Sequence, residues 1–415
     1  MQKLLAPAGF TLFLLAIDWY AFQAFRQFFP AEGQLRRVLV VSYWVLSVGL
    51  LLTLFYFRLL VNPGTNKLSM VFTLSVFFIF LLSKVILCLF LLLEDSYRLL
   101  SFAVLSIRKL IFSGPEVHSL SRSAALAKIA AGVAAIPAVS LIFGMVKGAY
   151  RYRVREVDLV LKNLPEAFHG MRLVQISDVH AGSLYDADAV RRGVQLIMDQ
   201  KPDLVFFTGD LVNNEASEFD SLAEIFKQIQ APLGVFSVLG NHDYGDYRYW
   251  PSEEAKQKNF LDLMNHHQSM GWKLLMDEHV LVEKDGQKIA VAGIQNWGAR
   301  GNFPKYGDLG KALKDLEHPG VLLLLSHDPS HWEAQVLPQF PQVNAMFSGH
   351  THGMQFGVEI PGFKWSPVQY MYRQWAGLYA EKDCQLYVNR GFGFLGYPGR
   401  VGIWPEITRF TLKPA

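Results

Sequence analysis

Cysteine is almost missing: 415 residues contain two, Cys88 and Cys384, so neither a disulfide framework nor a thiolate zinc site can be built. Charge is scarce too. Asp, Glu, Lys and Arg make up 18% of the chain, which excludes a disordered, solvated polymer. Repeats and low-complexity tracts are also lacking. Apolar residues are abundant instead, at 51%, and the mean hydropathy is +0.19. The charges are divided unevenly: 13 Lys and Arg face 5 Asp and Glu up to residue 150, and 26 face 31 after it. A net negative second half is a poor partner for a polyanion, so no nucleic-acid partner is expected. The length suits more than one domain, and the composition shift predicts a transmembrane domain over 1–150 and a second domain over 151–415.

Four stretches, 4–25, 38–60, 68–93 and 124–146, meet the requirement of about 20 predominantly apolar residues for crossing a bilayer. They predict an α-helical bundle of about four spans. Residues 98–113 are too charged to cross, and their apolar residues share one helical face, which predicts a separate helix lying in the membrane interface. Arg58 and Lys128 lie near the ends of their spans and can snorkel. Asp18 and Lys84 lie deeper, at similar depth in two parallel spans. Each can snorkel or meet a polar neighbour, or the two can pair. Arg151, Arg153 and Arg155 after the last span favour a cytoplasmic second half, although Arg26, Arg36, Arg37, Arg98, Arg108, Lys109 and Arg122 lie on the other side. The expectation is an integral protein of the plasma (inner) membrane with its second domain cytoplasmic.

From about residue 155 short apolar runs alternate with amphipathic stretches. Strands are expected at 173–176, 204–207, 235–239, 289–293, 321–325 and 345–347, with helices at 187–199 and 222–229. This alternation indicates a layered α/β sheet. The runs end in Asp178-Val179-His180, Gly209-Asp210, Gly240-Asn241-His242-Asp243, Ser326-His327-Asp328 and Gly349-His350-Thr351-His352, at the strand ends where α/β sheets gather their sites. Carboxylates, imidazoles and an amide without thiolates suit manganese, iron, zinc or magnesium. Seven or so ligands are too many for one ion and enough for two. A pair about 3.5–4 Å apart can hold a hydroxide and clamp a phosphoryl group in flight, and His242 is placed to protonate the leaving group. Gly209, Gly240 and Gly349 permit tight or positive-φ backbone there. His118, His169, His266, His267, His279, His318 and His331 lie outside the clusters and are read as background.

This series resembles the calcineurin-like metallophosphoesterase superfamily over essentially 155–415. The resemblance implies a metallophosphoesterase fold, a β-sandwich flanked by helices, with a dinuclear site at its edge. Carried over, Asp178, His180, Asp210 and His352 would hold one ion, and Asp210, Asn241, His327 and His350 the other. His242 would be the proton donor, oriented by Asp243. The sequence after Gly349, and 389–406 with Arg390, Arg400 and Glu406, resembles the YkuE-like branch. Asn213 stands where purple acid phosphatases have a tyrosine ligand, and no Asp-Arg-Gly follows Asp210, which argues against both a tyrosinate-iron site and a dedicated protein phosphatase.

The implied function is a metal-dependent phosphoesterase, with two divalent ions, manganese first, cleaving phosphodiester or pyrophosphate bonds of a lipid-linked or membrane-proximal small substrate beside the bilayer. Tyr244, Tyr247, Tyr249, Trp250, Trp297, Phe303 and Tyr306 either anchor loops or form a rim that touches acyl chains. A broad phosphomonoesterase or phosphoprotein phosphatase, and a non-catalytic metal-binding sensor, are the alternatives.

Overall fold

The computed structural model describes residues 2–29, 32–60, 67–112, 123–317 and 320–415, and divides into two compact units, Met1–Phe143 and Gly144–Ala415. The first consists of four long helices: α1 (Gln2–Phe25), α2 (Gln34–Leu60), α3 (Lys67–Phe112) and α4 (Ala124–Phe143). Among the described residues α2, α3 and α4 carry windows long and apolar enough to cross a membrane. Large apolar side chains such as Leu12, Trp19, Leu52, Leu93 and Ile136 point outward. The contact core is small: Ala21 and Ala24 of α1, Leu87, Cys88 and Leu91 of α3, and Ala130 and Ala134 of α4. Alanines let helices approach closely where lipid supplies no hydrophobic drive to associate.

The separate interfacial helix does not form. Residues 98–112 continue α3, one helix of 46 residues, because Glu94-Asp95-Ser96-Tyr97 lowers the hydropathy without a glycine or proline to interrupt the backbone. Ser113, Arg122, His118 and His318 lie outside the described residues, as does the side chain of Arg58. Asp18 and Lys84 do pair: the Lys84 ammonium donates to the Asp18 carboxylate and to Ser47 Oγ at 2.8 Å, while the Tyr43 hydroxyl donates to the Asp18 carbonyl.

The second unit holds two six-stranded sheets. In one, β1 (Arg153–Leu161), β2 (Arg172–Ile176), β3 (Leu204–Phe207), β4 (Val235–Ser237), β5 (Lys273–Leu274) and β14 (Glu406–Pro414) lie in the order β1-β14-β2-β3-β4-β5. In the other, β6 (Glu278–Lys284), β7 (Gln287–Gly293), β8 (Leu322–Leu325), β9 (Ala345–Ser348), β12 (Gly377–Glu381) and β13 (Cys384–Val388) lie in the order β12-β13-β9-β8-β7-β6. A small hairpin joins β10 (Val358–Ile360) to β11 (Phe363–Trp365). Leu173, Phe206, Val291, Leu323, Phe347 and Phe410 meet in one buried cluster drawn from both sheets, the core of a sandwich. The outer face of the first sheet packs on α5 (Ala187–Asp199), whose start Asp186 caps by accepting from the Ala189 N–H. Strands β2, β3 and β4 run parallel, as do β7, β8 and β9, so each sheet delivers several strand ends to one edge.

Candidate metal centre

The segments leaving β2, β3, β4, β8 and β9 are stitched together before any side chain is considered. The Asp178 N–H donates to the Gly209 carbonyl, and the Gly349 N–H to the His327 carbonyl, both at 2.9 Å. Asp178, His180, Asp210, His350 and His352 all take left-handed backbone, with φ between 47° and 72°. Such a residue is uncommon singly outside glycine, and five together mark a site whose surroundings impose the conformation. Of the three glycines only Gly209 needs its positive φ of 96°. Gly240 and Gly349 are required for room instead: a Cβ on Gly240 would lie 2.3 Å from Asp210 Oδ1, and one on Gly349 2.0 Å from Ser177 Oγ.

Two groups of ligand atoms result, Asp178 with His180 and His352, and Asp210 with His327 and His350. His180 Nε2 lies 2.9 Å from His352 Nε2, and His352 Nε2 lies 3.3 Å from Asp178 Oδ1. Asp210 Oδ2 stands between the groups, 3.5 Å from His180 Nε2 and 3.1 Å from His327 Nε2. Asn241 Oδ1 joins the second group 2.8 Å from His350 Nδ1. His327 Nδ1 donates to the Thr208 carbonyl at 2.7 Å, leaving a buried Nε2 with no hydrogen-bond partner.

Burial pushes His180 down to about 3 and His352 well below its usual range, so both imidazoles are neutral at pH 7, the form that can bind a cation. Burial also lifts the Asp178 carboxyl to about 7, against the pull of His327. Asp210 is disfavoured as an anion by burial, yet His327 and His242 hold its carboxyl well below the ordinary range. Burial alone would keep His327 neutral, but Asp210 overrides it and pushes the imidazole up to about 10. No lysine or arginine forms an ion pair with these carboxylates among the described residues. Two buried carboxylates and an amide oxygen, facing the neutral imidazoles of His180 and His352 and matched in charge by His327 alone among these ligand candidates, fit divalent cations.

The groups open onto a cavity of about 570 Å³ whose lining includes His180, Asp210, Asn241, His242, His350 and His352 together with Arg300, Phe303, Val368, Tyr370, Met371, Tyr372 and Leu395. His242 lines it with Nδ1 held by the Asn213 carbonyl at 2.8 Å, which leaves Nε2 for proton transfer. Asp243 does not orient this ring. Its carboxylate accepts the N–H groups of Asp210, Leu211, Val212 and Gly240, so it braces the two loops while its neighbour in sequence points elsewhere.

The family model "Calcineurin-like phosphoesterase" matches residues 171–354, and the model "Probable Calcineurin-like phosphoesterase, transmembrane domain", of the 4TM type, matches residues 2–149. The "Uncharacterized metallophosphoesterase YkuE" of Bacillus subtilis is 30% identical over 60% of this chain and 82% of its own length. The chain belongs to the calcineurin-like phosphoesterases. A "Transmembrane protein with metallophosphoesterase domain" from Danio rerio is 33% identical over 68% of this chain, and one from Bos taurus 27% identical over 78%. The matches cover 62% and 69% of those two relatives. This calcineurin-like phosphoesterase is thus membrane-associated, and its family implies metal-dependent phosphoester hydrolysis at a dinuclear centre.

All seven side chains singled out as ligands lie at this one sheet edge. Of the aromatic residues singled out in the sequence only Phe303 lines the cavity. Tyr244 is buried between Phe260 and Tyr306, Tyr247 accepts from the Asn241 amide, Trp250 donates to the Gly245 carbonyl, and Tyr249 is 89% exposed. Trp297 lies against His331. Among the described residues the background histidines bind elsewhere, as with His267 to Ser237, His279 to the Ala312 carbonyl and His331 to Ser326. Arg300, Val368, Tyr370, Met371, Tyr372 and Leu395 carried no motif and were missed.

Proposed function

We propose that this protein is a membrane-anchored hydrolase of phosphodiester or pyrophosphate bonds on a lipid-linked substrate. Asp178, His180, Asp210 and His352 hold one divalent ion and Asp210, Asn241, His327 and His350 the other, with manganese the first choice for this oxygen and nitrogen set. The ions supply Lewis acidity and an activated water. Asp210 fixes the spacing of the two groups, and His242 holds the proton for the leaving oxygen on Nε2. The reading is carried by the mixed lining of the cavity, in which the candidate ligands share the space with Phe303, Val368, Met371 and Leu395. A phosphate with an apolar substituent fits such a lining, and Arg300 suits a second anionic group. Arg151, Arg153 and Arg155 support a cytoplasmic catalytic unit at the plasma membrane.

The test is hydrolysis of bis(p-nitrophenyl) phosphate and of lipid-linked diphosphates by the full-length protein with manganese, before and after chelation. Activity should vanish with chelator and return with manganese. Met371→Ser should reduce turnover of the lipid substrate far more than that of the soluble diester, and equal losses would retire the lipid assignment.

A further inference from the structure

His350 has two nitrogens with different neighbours, and only one can face a cation. Nδ1 lies beside Asn241 Oδ1, whereas Nε2 lies 2.8 Å from the Tyr372 hydroxyl. Beyond that hydroxyl is Asp328, with Oδ2 3.5 Å from Tyr372 Oη and 3.7 Å from His350 Nε2. Asp328 is 1% exposed and has no lysine or arginine in ion-pair range among the described residues. Its other oxygen, Oδ1, accepts the Ser330 N–H at 2.8 Å and the Ser330 hydroxyl at 2.7 Å, and that hydroxyl itself accepts the Ala299 N–H. Gly298 makes space for the carboxylate, since a Cβ there would lie 2.2 Å from Asp328 Oδ2. The carboxylate is therefore fixed on one side and aimed with its free oxygen at the phenol and imidazole. A buried charge held this way needs a partner in that direction.

We propose that Asp328 and Tyr372 are positioning residues for the second ion: through the phenol the carboxylate keeps the His350 proton on Nε2, so that Nδ1 presents its lone pair beside Asn241 Oδ1. The inference rests on the two-ion reading above. Each hydrogen in the relay points toward the carboxylate, from Nε2–H to Tyr372 Oη and from Tyr372 O–H to Asp328 Oδ2. An amide in place of the carboxylate can donate to the phenol. The phenol then donates to Nε2, and the imidazole proton moves to Nδ1, where it blocks the ligand lone pair. Carboxylate–histidine–metal arrangements of this kind typically carry a 10- to 100-fold effect on metal affinity.

The experiment titrates full-length protein in detergent with manganese against a fluorescent chelator, resolving two binding steps. Asp328→Asn should weaken one step by roughly 10- to 100-fold and leave the other unchanged. Tyr372→Phe should weaken the same step less, because Asp328 Oδ2 is already close to Nε2. In a His327→Ala background, which removes a ligand of the second group, Asp328→Asn should have no further effect on the remaining step. A purely structural role for Asp328 would weaken both steps together, and that result, or two unchanged steps, overturns the proposal. Wild-type protein that takes up a single ion refutes the two-ion reading and this inference with it. Two wild-type ions with an unaffected variant refute the inference alone.

Discussion

The two units bury charge in opposite ways. In the helical unit Asp18 and Lys84 neutralise each other, with side chains 6% and 12% exposed, and Ser47 takes a further ammonium hydrogen. In the catalytic unit Asp178 and Asp210 are buried at least as deeply, but opposite them stand histidines of which His180 and His352 are neutral. The first arrangement is closed, because each charge has found its counter-charge within the chain. The second is open, because His327 offers Asp210 a charge at 3.1 Å while Asp178 faces neutral His352. Closed pairs hold helices together in an apolar medium, while open sets recruit something from outside.

That contrast can be broken most sharply at Asp210. Asp210→Asn removes the carboxylate shared by both groups and should lower manganese-dependent diester hydrolysis by about 10³-fold, equivalent to the several kcal/mol a bound cation contributes; activity within tenfold of wild type would place the chemistry elsewhere. On the membrane side, Lys84→Ala strands the Asp18 carboxylate and should destabilise the detergent-solubilised protein by about 3–5 kcal/mol. Adding Asp18→Asn should recover much of that loss. Additive losses in a double-mutant cycle would mean that the two side chains do not support one another.

A third prediction concerns pH. The His327 imidazole is raised to about 10, so below that value a cation must displace its proton. Manganese affinity should therefore rise by roughly tenfold per pH unit between pH 7 and 8 and more steeply below pH 7, where the Asp178 carboxyl, lifted to about 7, must also give up its proton, so that release goes from about two protons per protein at pH 6 toward one at pH 8 in a weakly buffered titration. A flat profile would show that His327 is already neutral. The smallest effect is expected at Tyr249, exposed and outside the cavity lining: Tyr249→Ser should leave hydrolysis of lipid and soluble substrates within about twofold, as is usual for surface changes.

The candidate ligands were legible because each sits within a few residues of a short apolar strand, and Asp210, Asn241 and His350 each follow a glycine that marks a tight approach. Local sequence records that pattern. Of the apolar lining only Phe303 was legible, as one of the candidate rim aromatics, since Val368, Met371 and Leu395 come from distant irregular segments and carry no motif. The family resemblance implied that Asp243 orients His242, whereas its carboxylate turns back to four backbone N–H groups. In the helical unit, the length of the apolar stretches found all four helices, but the charge of residues 98–113 suggested a separate element. Hydropathy reports the solvent a helix prefers, and only backbone chemistry decides whether it stops.

The placement of β14 has a consequence for how the protein is made. This strand, Glu406–Pro414, lies between β1 and β2, parallel to the first and antiparallel to the second. Its partners leave the ribosome more than two hundred codons earlier and must wait with their facing edges unsatisfied. Contacts of such long range slow folding and leave sticky edges open meanwhile. A nascent chain arrested before Glu406 should therefore be a ready client for chaperones, and the catalytic sandwich can close only after that late strand is threaded into place.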